Sequence, residues 1–112
     1  MAPEPHPVDL MDQAAVSRDT GVTDRELMVE GVRWALVEYS PGSGRARWCS
    51  TPHSGFVVAG SISYEFEDGR DPLVASAGSG LLLPAEPRHR GRNMGAETAL
   101  LFLIDGVVGN NH

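Results

Sequence analysis

The chain contains no lysine: all nine of its basic residues are arginine. A Schiff-base mechanism and a Walker-type phosphate loop both need that amine, so both are excluded. Cysteine is nearly absent, and the single Cys49 rules out an intrachain disulfide and any multi-cysteine zinc module. The longest apolar run, 99–104, is six residues, against the ~20 that a membrane-spanning helix needs. The proline-bearing, acidic start lacks the pattern of a secretory leader, so the expectation is a soluble, cytoplasmic protein with no membrane partner. Positive charge is in deficit, with fifteen acids against nine bases and a net charge of −6. That balance argues against a nucleic-acid partner, because phosphate contacts need a basic face.

What is present is enough apolar content, 41% of 112 residues, for one small core. Residues 1–24 mix prolines and scattered charges without periodicity and read as a loosely ordered N-terminal segment. Residues 25–112 read as a single β-domain. There, short runs of Val, Leu, Ile and aromatics are punctuated by turn signals at 41–44, 67–72 and 76–80. The expected strands are 26–30, 33–39, 45–49, 55–59, 61–67, 73–75, 80–83, a short stretch around His89, and 98–104. No helical stripe or internal repeat interrupts them, and so many short strands suit an all-β sandwich or jelly-roll barrel. Residues 56–59 and 100–104 are apolar at consecutive positions and so on both faces. A second layer must cover them, either the N-terminal segment folded back or a second copy of the chain, and a homodimer is expected.

One segment carries a more specific signal. In GSGLLLPAEPRHRGRN, Gly78, Pro84, His89 and Asn93 occupy four of the five fixed positions of the second conserved motif of the cupin superfamily, with Glu86 in place of its second glycine. Residues 81–83 form a strand that ends at Pro84, which lacks the N–H a ladder requires. If the chain after the turn is extended, His89, Gly91 and Asn93 share one face while Arg88, Arg90 and Arg92 share the other. A carboxylate at Glu86 is placed to hold one of those arginines.

The stretch PHSGFVVAGSISYEF resembles the end of the first cupin motif, with Phe56, Val57, Val58 and Gly60 giving the register. Counting back, His53 falls where the family has its glutamate, Cys49 at the second histidine and Arg47 at the first. The resemblance covers roughly residues 31 to 105 and is similar to small bacterial single-domain cupins. It implies a cupin-type double-stranded β-helix, a jelly-roll barrel whose cavity holds a divalent metal ion (Zn, Fe, Mn or Ni) on His53, His89 and Cys49. Both residue types are competent ligands, and two His plus one Cys leave a fourth position open. Metal-bonded nitrogens at ~2.1 Å require the two imidazoles within about 6 Å of each other.

Arg47, Val57, Asn93 and Phe102 are expected to line the same cavity and contact a small-molecule ligand. The family spans oxygenases, isomerases and cyclases as well as non-enzymes, so the resemblance leaves the reaction open. Arg47 leaves a second reading open, because a fixed cation repels a divalent metal yet binds a carboxylate or phosphate through two parallel hydrogen bonds. On that reading the protein is a metal-free module for a small anion, using Arg47 and the cavity histidines. Register also decides between Cys49 and Trp48 for the cavity-facing position. Glu65, Glu67 and Asp68 are accounted for as turn residues before Gly69. Ser50, Ser54 and Ser79 have no nucleophile elbow around them.

Overall fold

Apolar residues at alternate positions place one side of an extended chain in a core and leave the other side for solvent. The computed structural model of this protein, which describes residues 4–106, turns most of that alternation into strands. Among the described residues they are β1 (Val16–Asp19), β2 (Val22–Val29), β3 (Val32–Tyr39), β4 (His53–Ala59), β5 (Ser61–Phe66), β6 (Leu73–Ser76), β7 (Gly80–Leu83), β8 (His89–Arg92) and β9 (Ala99–Asp105), preceded by one 3₁₀ turn, Leu10–Asp12. The remainder of the expected 25–112 domain, residues 107–112, lies outside the described residues.

The strands form two antiparallel sheets, β1-β2-β3-β9-β4-β7 and β6-β5-β8. The architecture is an all-β sandwich, and its ladders do not show the closed barrel expected from the sequence. Among the described residues no ladder joins the edge strands of one sheet to those of the other. Val37, Tyr39, Val57, Leu83 and Leu101 from the larger sheet meet Ile62 and Tyr64 from the smaller one. Fully burying an aliphatic side chain of this size contributes about 1.5–3 kcal/mol, which makes this inner face the main source of stability.

Two expected boundaries move. Residues 16–24, read as part of the loose segment, form β1 and the head of β2, with Val16 opposite Asp24. Their charges concealed the strand pattern, and the fold neutralises them, Arg18 Nε donating to Asp24 Oδ2 at 3.2 Å. β2 and β3 are joined by the two-residue turn Glu30-Gly31, both with positive φ. That is the backbone a tight hairpin demands, and glycine adopts it without strain.

The expected strand 45–49 is not a ladder. Its backbone pairs with that of β8 only through bridges at Gly44–Arg92 and Cys49–His89. Between them the chain bows outward, where Ala46 O accepts from Arg90 Nη1 and the Trp48 ring lies under the Arg90 guanidinium at 4.1 Å.

The outer face of the larger sheet is covered in part. Leu10 is buried, and Arg25 Nη1 ties the N-terminal segment down by donating to Gln13 O at 2.6 Å and Met11 O at 3.2 Å. On β4 and β7 the same face stays open, with Phe56 44%, Val58 47% and Leu82 63% exposed.

Candidate metal centre

Three elements converge at one end of the sandwich. His53 opens β4 and His89 opens β8, while Cys49 ends the crossing segment. The Cys49 and His89 backbones are pinned together, Cys49 N donating to His89 O at 2.7 Å and His89 N to Cys49 O at 3.0 Å. One ligand atom from each of Cys49, His53 and His89 lies within 4.8 Å of the others, and the two imidazole centroids are 5.0 Å apart. This Cys/His cluster is capable of coordinating a metal ion. The sequence nominated all three residues, and the fold brings them together.

His89 is 1% exposed, and among the described residues neither Nδ1 nor Nε2 has a hydrogen-bond partner. Its ring lies edge-on against Tyr64, centroids 5.8 Å apart, with a ligand nitrogen inside the cluster. Buried polar groups are almost always paired, so an imidazole with two orphaned nitrogens inside a donor cluster fits a metal ligand.

His53, in contrast, is fully engaged. Its Nδ1 is 2.7 Å from Asp105 Oδ1 and its Nε2 is 3.8 Å from Cys49 Sγ. Thr51 N also donates to that sulfur, at 3.4 Å. The neighbouring imidazoles, His53 first and His89 second, outweigh burial and lower the Cys49 thiol to about 5. Burial opposes charge on His53, but the hydrogen bonds to Asp105 and Cys49 prevail and raise it to about 9. Both shifts favour the charged forms, a thiolate beside an imidazolium. Burial likewise opposes charge on Asp105, and the His53 hydrogen bond and the Arg33 charge overcome it and hold the carboxyl below its ordinary value.

The cluster opens into a cavity of about 850 Å³ whose wall includes Arg18, Arg33, Arg45, Arg47 and Arg90, five of the nine arginines in the chain. Arg45 Nη2 and Arg33 Nη2 both donate to Asp24, at 3.0 and 2.7 Å. Arg90 pairs with Glu65. Arg47 lines the cavity with no hydrogen bond or ion pair among the described residues.

Three expected cavity residues lie elsewhere. Val57 faces inward as its strand parity requires, but into the core rather than the cavity. Asn93 is buried and holds the chain together, its Nδ2 donating to Tyr39 O at 3.0 Å and Glu97 O at 2.7 Å. Phe102 is on the outer face of β9, where it meets Trp34 edge-on with centroids 5.7 Å apart. Neighbouring Leu101 and Leu103 take the inward positions.

Cys49 and Trp48 both reach the cavity wall, because the bowed segment breaks strict alternation. Arg90 of β8 is held across the ladder by Glu65 of β5, and Arg88, just before β8, pairs with Glu67, just after β5, at 2.6 Å; neither pairs with Glu86. Glu67 and Asp68 do sit in the turn after β5, where Asp68 pairs with Arg70 at 2.8 Å, while Glu65 lies on the strand itself. The sequence reading missed Asp105, Arg33, Arg45 and Asp24. The available signal was parity, since Asp105 continues the inward series Ala99, Leu101, Leu103.

No protein-family model and no curated protein sequence matches the chain. Solved structures do match. The polyketide cyclase RemF from Streptomyces resistomycificus superposes with a TM-score of 0.72 at 18% identity, over 91% of this chain and 79% of that one. The Cnp3 cupin domain of Schizosaccharomyces pombe gives 0.72 at 13% identity, over 89% and 72%. An oxalate oxidase gives 0.68 at 20% identity, over 89% of this chain but only 58% of its own length. The fold is that of the cupin superfamily.

Proposed function

We propose that this protein binds one divalent metal ion through Cys49, His53 and His89 and acts there on a small molecule, as a metal-dependent enzyme of oxygenase, isomerase or cyclase type. The observation that carries the reading is His89, buried with both ring nitrogens unpartnered beside a cysteine and a second histidine. A metal supplies the partner that the protein withholds. Three protein donors leave an open position for substrate or water. Among zinc, iron, manganese and nickel, a thiolate with two imidazoles favours zinc or iron. When bound, the ion polarises a carbonyl or activates water or dioxygen.

The chain's own residues supply the rest. The imidazoles beside Cys49 favour its thiolate, the form that binds a metal, and the proton that Asp105 and Cys49 hold on His53 leaves when the ion binds. Arg47, at the cavity wall and without an ion pair among the described residues, offers a guanidinium fork for an acidic group of the ligand. The likeness in fold to a polyketide cyclase and an oxalate oxidase supports a small-molecule enzyme.

The concentration of five arginines around one cavity favours a second reading, a metal-free binding or sensing module for a small anion held by Arg47 and the cavity histidines. Elemental analysis of protein purified without an affinity tag separates the two. Near-stoichiometric transition metal is expected for the metal centre and none for the module.

A homodimer through the open outer face of β4 and β7 goes with either reading, since Phe56, Val58 and Leu82 form an apolar patch. An interface of ordinary size buries about 800 Å² per partner. The net charge of −6 argues against a nucleic-acid partner. No helix among the described residues is long and apolar enough to cross a membrane, and we place the protein in the cytoplasm of a bacterium.

A further inference from the structure

An imidazole binds a metal through whichever nitrogen carries a free lone pair, and the group that engages the other nitrogen decides which one that is. In His53 the division is set by strand register. β4 pairs with β9 so that His53 lies opposite Asp105. The two side chains meet at 2.7 Å through Nδ1, which leaves Nε2 toward Cys49 Sγ. A carboxylate can only accept at that contact, so the proton resides on Nδ1 and the lone pair of the neutral ring is on Nε2.

Asp105 is itself held from its far side. Its Oδ2 accepts from Arg33 Nη1 at 2.9 Å. The same guanidinium donates through Nη2 to Asp24 Oδ2 at 2.7 Å and through Nε to Glu26 Oε1 at 2.6 Å. Asp24 is 2% exposed and also takes Arg18 and Arg45. The carboxylate behind His53 is thus anchored on β2 and β3 through one arginine with three acidic partners.

We propose that Asp105 is a positioning residue for the metal centre, fixing His53 as the Nδ1–H tautomer with Nε2 presented to Cys49 and His89, and that Arg33 holds Asp105 in that pose. Neither acts as a ligand. The inference rests on the metal reading, and it goes beyond it by assigning roles to two residues outside the Cys/His cluster. Loss of such a partner behind a ligating histidine typically weakens metal binding by about 10–100-fold.

The test pairs zinc affinity with nitrogen-15 imidazole shifts of the metal-free protein, followed upward in pH until the His53 ring has lost its second proton. Wild type is expected to show His53 protonated at Nδ1 and bare at Nε2, and to bind zinc. Asp105→Ala should lose that tautomer preference and bind zinc about 10–100-fold more weakly. Asp105→Asn, whose amide oxygen still accepts from Nδ1–H, should recover the tautomer and part of the affinity. Arg33→Gln should keep the tautomer and weaken zinc binding less than Asp105→Ala does. Should Asp105→Ala fold poorly, the wild-type tautomer and the Arg33→Gln affinity still decide.

A bare Nδ1 in wild type would overturn the proposal. So would zinc binding in wild type that Asp105→Ala and Arg33→Gln leave unchanged. Absence of zinc binding in wild type would instead overturn the metal reading on which the proposal stands.

Discussion

Replacing His89 by leucine is expected to make the metal-free protein more stable while abolishing its response to zinc. The histidine is 1% exposed with two unpartnered ring nitrogens. Leaving a buried polar group unsatisfied costs about 1–3 kcal/mol, and leucine removes that cost at similar volume. Unfolding entropy of about 2.1 cal/mol/K per residue gives about 0.24 kcal/mol/K for a chain of 112 residues. The gain then corresponds to a rise in Tm of roughly 4–13 °C in chelator. Zinc at a hundred times its Kd should stabilise wild type by about 2.7 kcal/mol, or roughly 11 °C, and leave the variant unmoved. Thermal melts followed by circular dichroism, with chelator and then with zinc, give both numbers. A variant that melts below wild type in chelator, or that shows the wild-type zinc shift, would refute the reasoning. The expected pattern is the usual conflict between a site and the stability of its scaffold.

Proton linkage gives a second expectation. His53, raised to about 9, contributes stability that is present below its ordinary 6.5 and lost as pH rises through 9. Cys49, lowered to about 5, contributes stability present above its ordinary 9.0 and lost as pH falls through 5. Between about 6.5 and 9 the two oppose each other, so the urea midpoint of metal-free protein should be level there and fall from about 6.5 toward 5; a steady slope across the upper window would contradict the thiolate–imidazolium pair. Gly55→Ala should prevent folding or cost more than the ~1–3 kcal/mol of ordinary overpacking, because a Cβ there would lie 2.0 Å from the Phe102 carbonyl oxygen. Soluble Gly55→Ala protein with a wild-type melt would show the β4–β9 contact to be looser than described. Phe56→Asp combined with Leu82→Asp should convert a dimer of 12.0 kDa chains to monomer by light scattering without loss of Tm, whereas a wild type already monomeric at tens of micromolar would end the dimer proposal.

His89 was legible in the sequence because its chemistry is local. A strand, a terminating proline and an alternating tail put it, Gly91 and Asn93 on the buried face within one short segment, and all three are buried. Cys49 and His53 followed from counting along one neighbouring segment. Asp105 was not legible. Its partner His53 is 52 residues away, and the contact exists only because β9 is inserted between β3 and β4. Phe102 and Asn93 were misplaced for a related reason: extended parity tells two faces apart but does not say which faces a cavity and which faces core or solvent. The segment 45–49 looked like a strand because its composition alternates. Arg45 instead reaches in to Asp24 and the Tyr39 hydroxyl, Trp48 stacks on Arg90, and the backbone pairs with β8 only at the two ends of the segment. β1 was hidden by charges whose pairing only the folded chain reveals.

The central claim is that Cys49, His53 and His89 form one metal centre, and cobalt titration of untagged, metal-stripped protein tests it most directly. A thiolate bonded to cobalt gives a sulfur-to-metal charge-transfer band, so binding and ligand identity are read together. The account predicts saturation at one cobalt per chain with that band present, the band lost in Cys49→Ser and binding lost in His89→Leu. No saturable cobalt binding, or a saturable spectrum unchanged by Cys49→Ser, would contradict it.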